Sequence, residues 1–464
     1  MTIDRPATQR AAPTSMSLRN LTVGLCMTVV AIAFEAIAVA TAMPVAAREL
    51  DGLTYYAWLF SLFVIGMLFS TVVTGRLSDR SGPARPLLVG LAIFAVGLVV
   101  AGTAQHIAQL IGGRLIQGLG SGVINTAIFV CVAQAYSTRQ RPRMFTYIST
   151  AWVLPSFVGP PVAAWLTSAF SWHWVFIAVL PLVALGGAMV LPTLLIMIRA
   201  YRPQEGEPAA RPAALWAAGL VAVAAAAVQL AGQRLDWLGL ALLVAGVAGL
   251  LVGLPRLMPP GFLRLGRGLP AVIMVRGLLP GAHFGSEAFI PLMLVEQRKI
   301  SLVLAGAVLT IGSIGWTTGS WLQSRPWLKI RRDRLITYGC LSVTVGVSIV
   351  AMVGIWSGLW FGLVGVGWIF AGLGMGLATS STSLAVMTLS DVSVQGRNAS
   401  SLNVFDALGT GIFVGLSGTI FAALRPIGNL SLTFGVVYAA MVGVTLLAVG
   451  SSLRIGRVRN EFAR

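Results

Sequence analysis

Charge is what this sequence has least of. Only 10% of its 464 residues are charged and 57% are hydrophobic; a soluble domain is roughly a quarter charged. That balance excludes an ordinary soluble enzyme. The apolar surplus equally excludes a disordered chain. Cysteine and histidine are scarce as well, at three each. Cys26, Cys131 and Cys340 lie inside or at the ends of apolar runs, and the histidines are scattered. Neither a disulfide framework nor a metal site is expected. There is no P-loop, so ATP is not the expected energy source. No nucleophile motif and no large extramembrane segment speak for a membrane enzyme or a receptor. No cofactor is expected.

What the chain does have is long apolar runs, and its mean hydropathy is +0.87. A membrane helix takes about 20 mostly apolar residues. Runs of that kind lie near 21–44, 54–75, 86–104, 108–135, 144–168 and 173–198. Two more follow at 213–232 and 236–254, set off by the polar stretch Arg199–Arg211 and the basic stretch Pro255–Arg267. Six others lie near 271–295, 301–323, 335–355, 357–389, 398–424 and 429–453. A membrane β-barrel would instead show short alternating segments. The first run is too long for a signal peptide, and it carries Glu35. The expected fold is an all-α polytopic membrane protein with fourteen spans.

The few charges present are lopsided: 32 Lys and Arg stand against 14 Asp and Glu, a net +18. In a soluble protein this would point to nucleic acid. In a membrane protein, basic residues collect in cytoplasmic loops. With the N-terminus inside and fourteen spans, cytoplasmic segments hold 25 Lys and Arg, outer loops hold five, and two lie within spans. No nucleic-acid partner is expected. Both termini are expected in the cytoplasm of a multi-pass plasma-membrane protein, and the Arg-rich, Lys-poor composition fits a bacterial one.

Ionisable residues at membrane depth are costly and usually functional. Five qualify: Glu35, Arg114, Arg276, Glu287 and Asp406. At about 1.5 Å rise per residue, Glu35 lies roughly 14 Å and Arg114 roughly 9 Å from the outer side of one bundle. That places the two within reach of each other, directly or through water. Arg276 and Asp406 both fall near the inner third of the second half, a depth at which they can pair, while Glu287 lies in the outer third. Glu35 and Arg114 are the expected coupling residues. The other three are candidates for a substrate or proton site.

The loop after the second run reads Gly75-Arg76-Leu77-Ser78-Asp79-Arg80-Ser81-Gly82. It closely resembles the G-x-L-a-D-R-x-G signature of the major facilitator superfamily, with Pro83-Ala84 where basic residues are usual. Gly113-Arg114-Leu115-Ile116-Gln117-Gly118 resembles that family's R-x-x-Q-G motif, and Gly159-Pro160 the centre of a degraded G-x-x-x-G-P-x-x-G-G antiporter motif. Phe34 through Pro44 is similar to the L-D-x-T-v-v-x-v-A-l-P motif of the 14-helix drug:proton antiporters, with Glu35 for Asp. Trp172-His173-Trp174-Val175-Phe176 is similar to their W-R-W-i-F stretch.

The resemblance implies two six-helix bundles plus two extra helices. The tail would be 1–20, the first bundle 21–198, linkers and inserted helices 199–270, the second bundle 271–453 and the last tail 454–464. It implies a monomeric, proton-coupled exporter of small amphipathic or cationic molecules working by alternating access in the lipid bilayer. Gly75, Asp79, Arg80, Gly82, Gln117, Gly118, Gly159 and Pro160 would serve the conformational change. Export of a lipid, a glycolipid or a single endogenous metabolite is the alternative. The sugar-porter P-E-S-P-R stretch is missing after the sixth run, where the chain reads Arg199-Ala200-Tyr201-Arg202-Pro203.

Overall fold

The computed structural model describes residues 15–137, 140–200, 213–232, 234, 236–325, 327–391 and 394–458, with a few helical side chains left out. The first half forms α1 (Ser15–Glu49), α2 (Trp58–Ser81), α3 (Ala84–Gly102), α4 (Ile107–Ala135), α5 (Arg141–Ala169), α6 (His173–Ile177) and α7 (Leu180–Ala200). Then come α8 (Ala213–Ala231) and α9 (Trp237–Leu257). The second half forms α10 (Leu269–Glu287), α11 (Ile290–Glu296), α12 (Leu302–Gln323), α13 (Arg332–Ile355), α14 (Gly362–Thr388), α15 (Gln395–Leu424) and α16 (Leu430–Ser452). No strand occurs among the described residues.

Long apolar runs become helices because only an intrasegment ladder satisfies every backbone group away from water. Among the described residues, twelve helical segments are long and apolar enough to cross a membrane. α6 with α7 makes one of these, and α10 with α11 another. Proline accounts for both interruptions, since it donates no N–H to the preceding turn. Pro181 stands one residue into α7, and Pro291 one residue into α11. Ser301, Asp236 and Asn429 cap α12, α9 and α16 by accepting from Leu304, Gly239 and Leu432 N–H groups.

The two halves pack alike. In the first, α1 lies on α5 and α7, α4 on α2 and α3, and α3 on α7. In the second, α10 lies on α15 and α16, α14 on α12 and α13, and α13 on α16. Glycines set the closest approaches. Gly118, Gly120 and Gly122 of α4 abut Phe63, Phe94 and Met67. In the same order, Gly372, Gly374 and Gly376 of α14 abut Gly312, Gly339 and Trp316. A Cβ at Gly120 would lie 2.5 Å from the Phe94 nitrogen, so these helices tolerate no side chain there.

The halves meet along two seams, α2 with α15 and α5 with α12, and α8 lies against both α2 and α15. α8 and α9 pack on each other. Here "distal" denotes the end where α1 finishes and α2 begins, and "proximal" the opposite end. Two hydrogen bonds between the halves are distal: Arg48 to Glu296, and Tyr56 Oη donating to the Ala288 carbonyl at 2.7 Å. The Tyr56 and Phe289 rings meet edge-on at 5.2 Å, and Phe289 adjoins Phe421. One hydrophobic cluster runs through this distal layer, joining α1 and α2 residues to Phe289, Leu292, Met293, Phe421 and Tyr438.

Candidate functional site

Glu35 faces α4 from the middle of α1, and both it and Arg114 are buried. The Arg114 guanidinium is shared among three elements. It donates to a Glu35 carboxylate oxygen, to Gln117 Oε1 at 2.8 Å, and through Nε to the Leu59 carbonyl at 2.7 Å. The Phe63 ring lies under it at 4.5 Å. Arg114 therefore ties α1 and the start of α2 to α4. A guanidinium suits this task because its fork of donors is rigid and always charged. Glu35 Oε2, Gln117 Nε2 and Thr41 Oγ1 are buried with no protein hydrogen-bond partner. Unmet polar atoms at such a depth are uncommon in folded proteins.

The equivalent place in the second half holds different chemistry. Trp368 precedes Gly372 by four residues, as Arg114 precedes Gly118. The His283 ring of α10 stacks on Trp368 at 4.5 Å, where Glu35 would meet Arg114. Gly312 lies against the Trp368 indole, in the place Phe63 takes beside Arg114. Glu287, one turn from His283, has a carboxylate oxygen 3.5 Å from His283 Nε2. Glu287 is thus not beside Arg276 or Asp406.

Arg276 and Asp406 do meet, with Nε 2.9 Å from Oδ2. Arg276 also donates to the Thr379 carbonyl at 2.6 Å and to Thr382 Oγ1 at 3.2 Å. The side chains are 15% and 28% exposed, so this pair is wetter than the first.

Gly75, Asp79 and Arg80 lie on the last turns of α2, and their side chains fall outside the described residues. Gly82 closes that helix at φ 72, a left-handed conformation that disfavours any side chain. Gly118 is at a helix contact, as above. Gly159 faces α1 less tightly: a Cβ there would meet Ile37 at an ordinary 3.6 Å. Pro160 matters instead at the α5–α12 seam. Gly306 leaves room there for the Pro160 carbonyl, which a Cβ would meet at 3.2 Å. Reading the sequence passed over Phe63, Leu59 and Trp368. An apolar residue or a carbonyl inside an apolar run carries no mark of the charge it will face.

A family model described as Major Facilitator Superfamily matches residues 23–414. The chain belongs to the major facilitator superfamily. Its fold is shared with a crystal structure of the peptide transporter POT, at a TM-score of 0.70 and 15% identity, covering 95% of each chain. Among relatives in this superfamily, Multidrug resistance protein 3 of Bacillus subtilis is 27% identical over 358 residues, 74% of this chain and 67% of that one. The acurin A biosynthesis cluster MFS-type transporter of Aspergillus aculeatus is 29% identical over 250 residues. That match spans 53% of this chain but only 41% of the fungal one. This major facilitator protein is thus a multi-pass membrane protein whose relatives include multidrug transporters.

Proposed function

We propose that the protein is a proton-coupled exporter of amphipathic or cationic small molecules, with Glu35 and Arg114 as its coupling pair. The observation that carries this is a buried carboxylate with one oxygen on a guanidinium and the other unpartnered. Protonating Glu35 removes the charge that holds α1 to Arg114. Arg114 keeps its bonds to Leu59 and Gln117, so α4 stays tied to α2 while α1 is released. α1 also carries Arg48, which reaches Glu296 across the distal layer. A proton at Glu35 thereby loosens the helix that closes the distal gate. A cationic cargo favours the ionised carboxylate, so proton and cargo exclude one another, and each turnover exchanges them.

In this reading α5 and α8 complete fourteen crossings. Residues 21–198 and 271–453 act as the two moving bundles, and α8 and α9 form an inserted peripheral pair. The distal end faces outside and both termini face the cytoplasm, as the 25-to-five basic asymmetry requires. The protein works as a monomer in the plasma membrane. Single cysteines at Gly52 and Ser324 test the orientation: impermeant thiol reagents are to reach the first from outside and the second from the cytoplasm only.

The deciding experiment is ligand-driven proton release from liposomes, with wild type and Glu35→Gln compared. The Gln variant is to bind ligand without moving protons. If it still moves them, Glu35 is structural and coupling passes to Glu287 or Asp406. The fungal relative's place in a biosynthesis cluster supports a second reading, a single endogenous metabolite as cargo. Cargo-dependent proton movement that unrelated cations fail to compete away is the outcome expected of it.

A further inference from the structure

Residues 453–458, which follow α16, fold back over the proximal ends of the second half. Gly456, at φ 78, turns the chain. Arg332 N–H then donates to the Val458 carbonyl at 3.1 Å, and Val458 N–H to Asp333 Oδ1 at 3.0 Å. Upstream, Gly268 N–H donates to the Arg454 carbonyl at 3.0 Å. Ile455 and Val458 are buried by this return. Between the turned tail and the first two turns of α13 lies a cavity of about 250 Å³. Arg331, Arg334, Arg457, Thr337, Tyr338 and Ser452 are among its lining residues.

The charge of this cavity is not balanced. Asp333 is its acid, and that carboxylate is occupied. It accepts from Arg331 at 3.0 and 2.5 Å and from the Val458 backbone. Asp333 therefore offsets Arg331. Arg334 and Arg457 are exposed and make no hydrogen bond or ion pair among the described residues. The rim is apolar at one edge, where Leu453 is 71% and Tyr338 48% exposed. A cavity with two spare guanidiniums, next to exposed apolar side chains at the ends of two membrane helices, sits at headgroup depth. Pockets for drug-sized ligands start at about 300 Å³, and this one is smaller. Guanidinium forks match phosphate oxygens two at a time.

We propose that this pocket binds a phosphate group, carried by an anionic phospholipid headgroup or free in solution, through Arg334 and Arg457 with the hydroxyls of Thr337 and Tyr338 beside them. The site lies between α13 and α16, away from Glu35 and from both seams. Its occupancy is independent of the transport reading and is measured without transport.

The test uses the full chain in detergent micelles, titrated separately with phosphatidylglycerol, phosphatidylcholine and inorganic phosphate, with bound species counted by native mass spectrometry. Phosphatidylglycerol is expected to bind more tightly than phosphatidylcholine. The double variant Arg334→Gln, Arg457→Gln is to lose about thirtyfold in affinity, as removal of two interfacial cations predicts. Arg457→Glu alone is to lose at least as much, and Arg85→Gln, an exposed arginine at the proximal start of α3, is to lose nothing. Inorganic phosphate that displaces the lipid assigns the phosphate as the recognised group. Phosphate that binds where the lipid does not assigns the soluble anion as the source. Equal binding of the two lipids with no phosphate binding, or a double variant that binds like wild type, overturns the proposal. Melting curves separate a lost site from a misfolded variant.

Discussion

Two places that the packing makes equivalent hold opposite chemistry. In the first bundle, the α1–α4 contact is an ion pair, Glu35 with Arg114, laid on Phe63. In the second, the α10–α14 contact is a ring stack, His283 on Trp368, with Gly312 making the space. The backbone solution is the same, down to three glycines in the same order on α4 and α14. One scaffold therefore accepts either a charge-assisted or a dispersive contact at this depth. Under the proposed coupling the first contact changes when a proton arrives; the second is held by area and shape. The difference teaches that one backbone arrangement leaves the side-chain chemistry free, so that in the proposed reading one helix pair senses the proton and its counterpart is a fixed wall.

The largest effect is expected from breaking the charged contact on one side. Arg114→Met leaves Glu35 ionised and buried without its cation, a loss of about 3–5 kcal/mol. Adding Glu35→Gln to it is to restore most of that stability, read from thermal unfolding in detergent. A double variant no better than the single would mean that the pair is not the energetic unit. On the other side, Trp368→Ala empties the wall and is to cost about 3–5 kcal/mol through its cavity. His283→Phe keeps a ring on the indole, so its cost stays below about 1.5 kcal/mol and proton-driven transport persists. Loss of coupling in a well-folded His283→Phe would break the comparison outright, since the second bundle would then carry protons too.

A smaller effect is expected at the wetter pair. Arg276→Gln and Asp406→Asn are each to cost about 1 kcal/mol, and the double less than the sum, because the two share one bond. Additive losses in unfolding experiments would separate them. The smallest effect belongs to Arg48→Gln. Its pair with Glu296 is half exposed and worth about 0–1 kcal/mol. The melting temperature is to stay put, while a cysteine placed at Ala288 reacts faster with thiol reagents from the distal side. An unchanged rate would show that Arg48 does not help to close that layer.

The ion pair was legible in the sequence, because a charge inside an apolar run stands out and helical rise converts its position into depth. Glu35 with Arg114, and Arg276 with Asp406, were readable on that ground. The stack of His283 on Trp368 was not. Histidine and tryptophan in an apolar run are compatible with a membrane interface, a core or a ligand, and only packing decides among them. The helices themselves were legible from run length. Their interruptions near Pro181 and Pro291 were not placed, since proline inside a membrane helix bends it or breaks it according to its neighbours. How tightly Gly159 packs gave no signal for a related reason: a glycine in a motif does not say how near the facing helix comes. The tail also gave no signal, because Ile455 and Val458 look like ordinary residues of a basic end until Gly456 turns them inward.

The paired glycine triplets carry a consequence for variation in this protein. At Gly118, Gly122, Gly372 and Gly376 the neighbour is backbone that cannot yield. Alanine, usually the mildest replacement, is there the first one too large. A complete scan of single substitutions would find its sharpest intolerance in these uncharged, featureless positions, in two matching clusters. The exposed faces of the same helices would accept almost any apolar residue. The history of two similar halves would then be readable from which substitutions the chain refuses, even where the halves no longer share a single side chain.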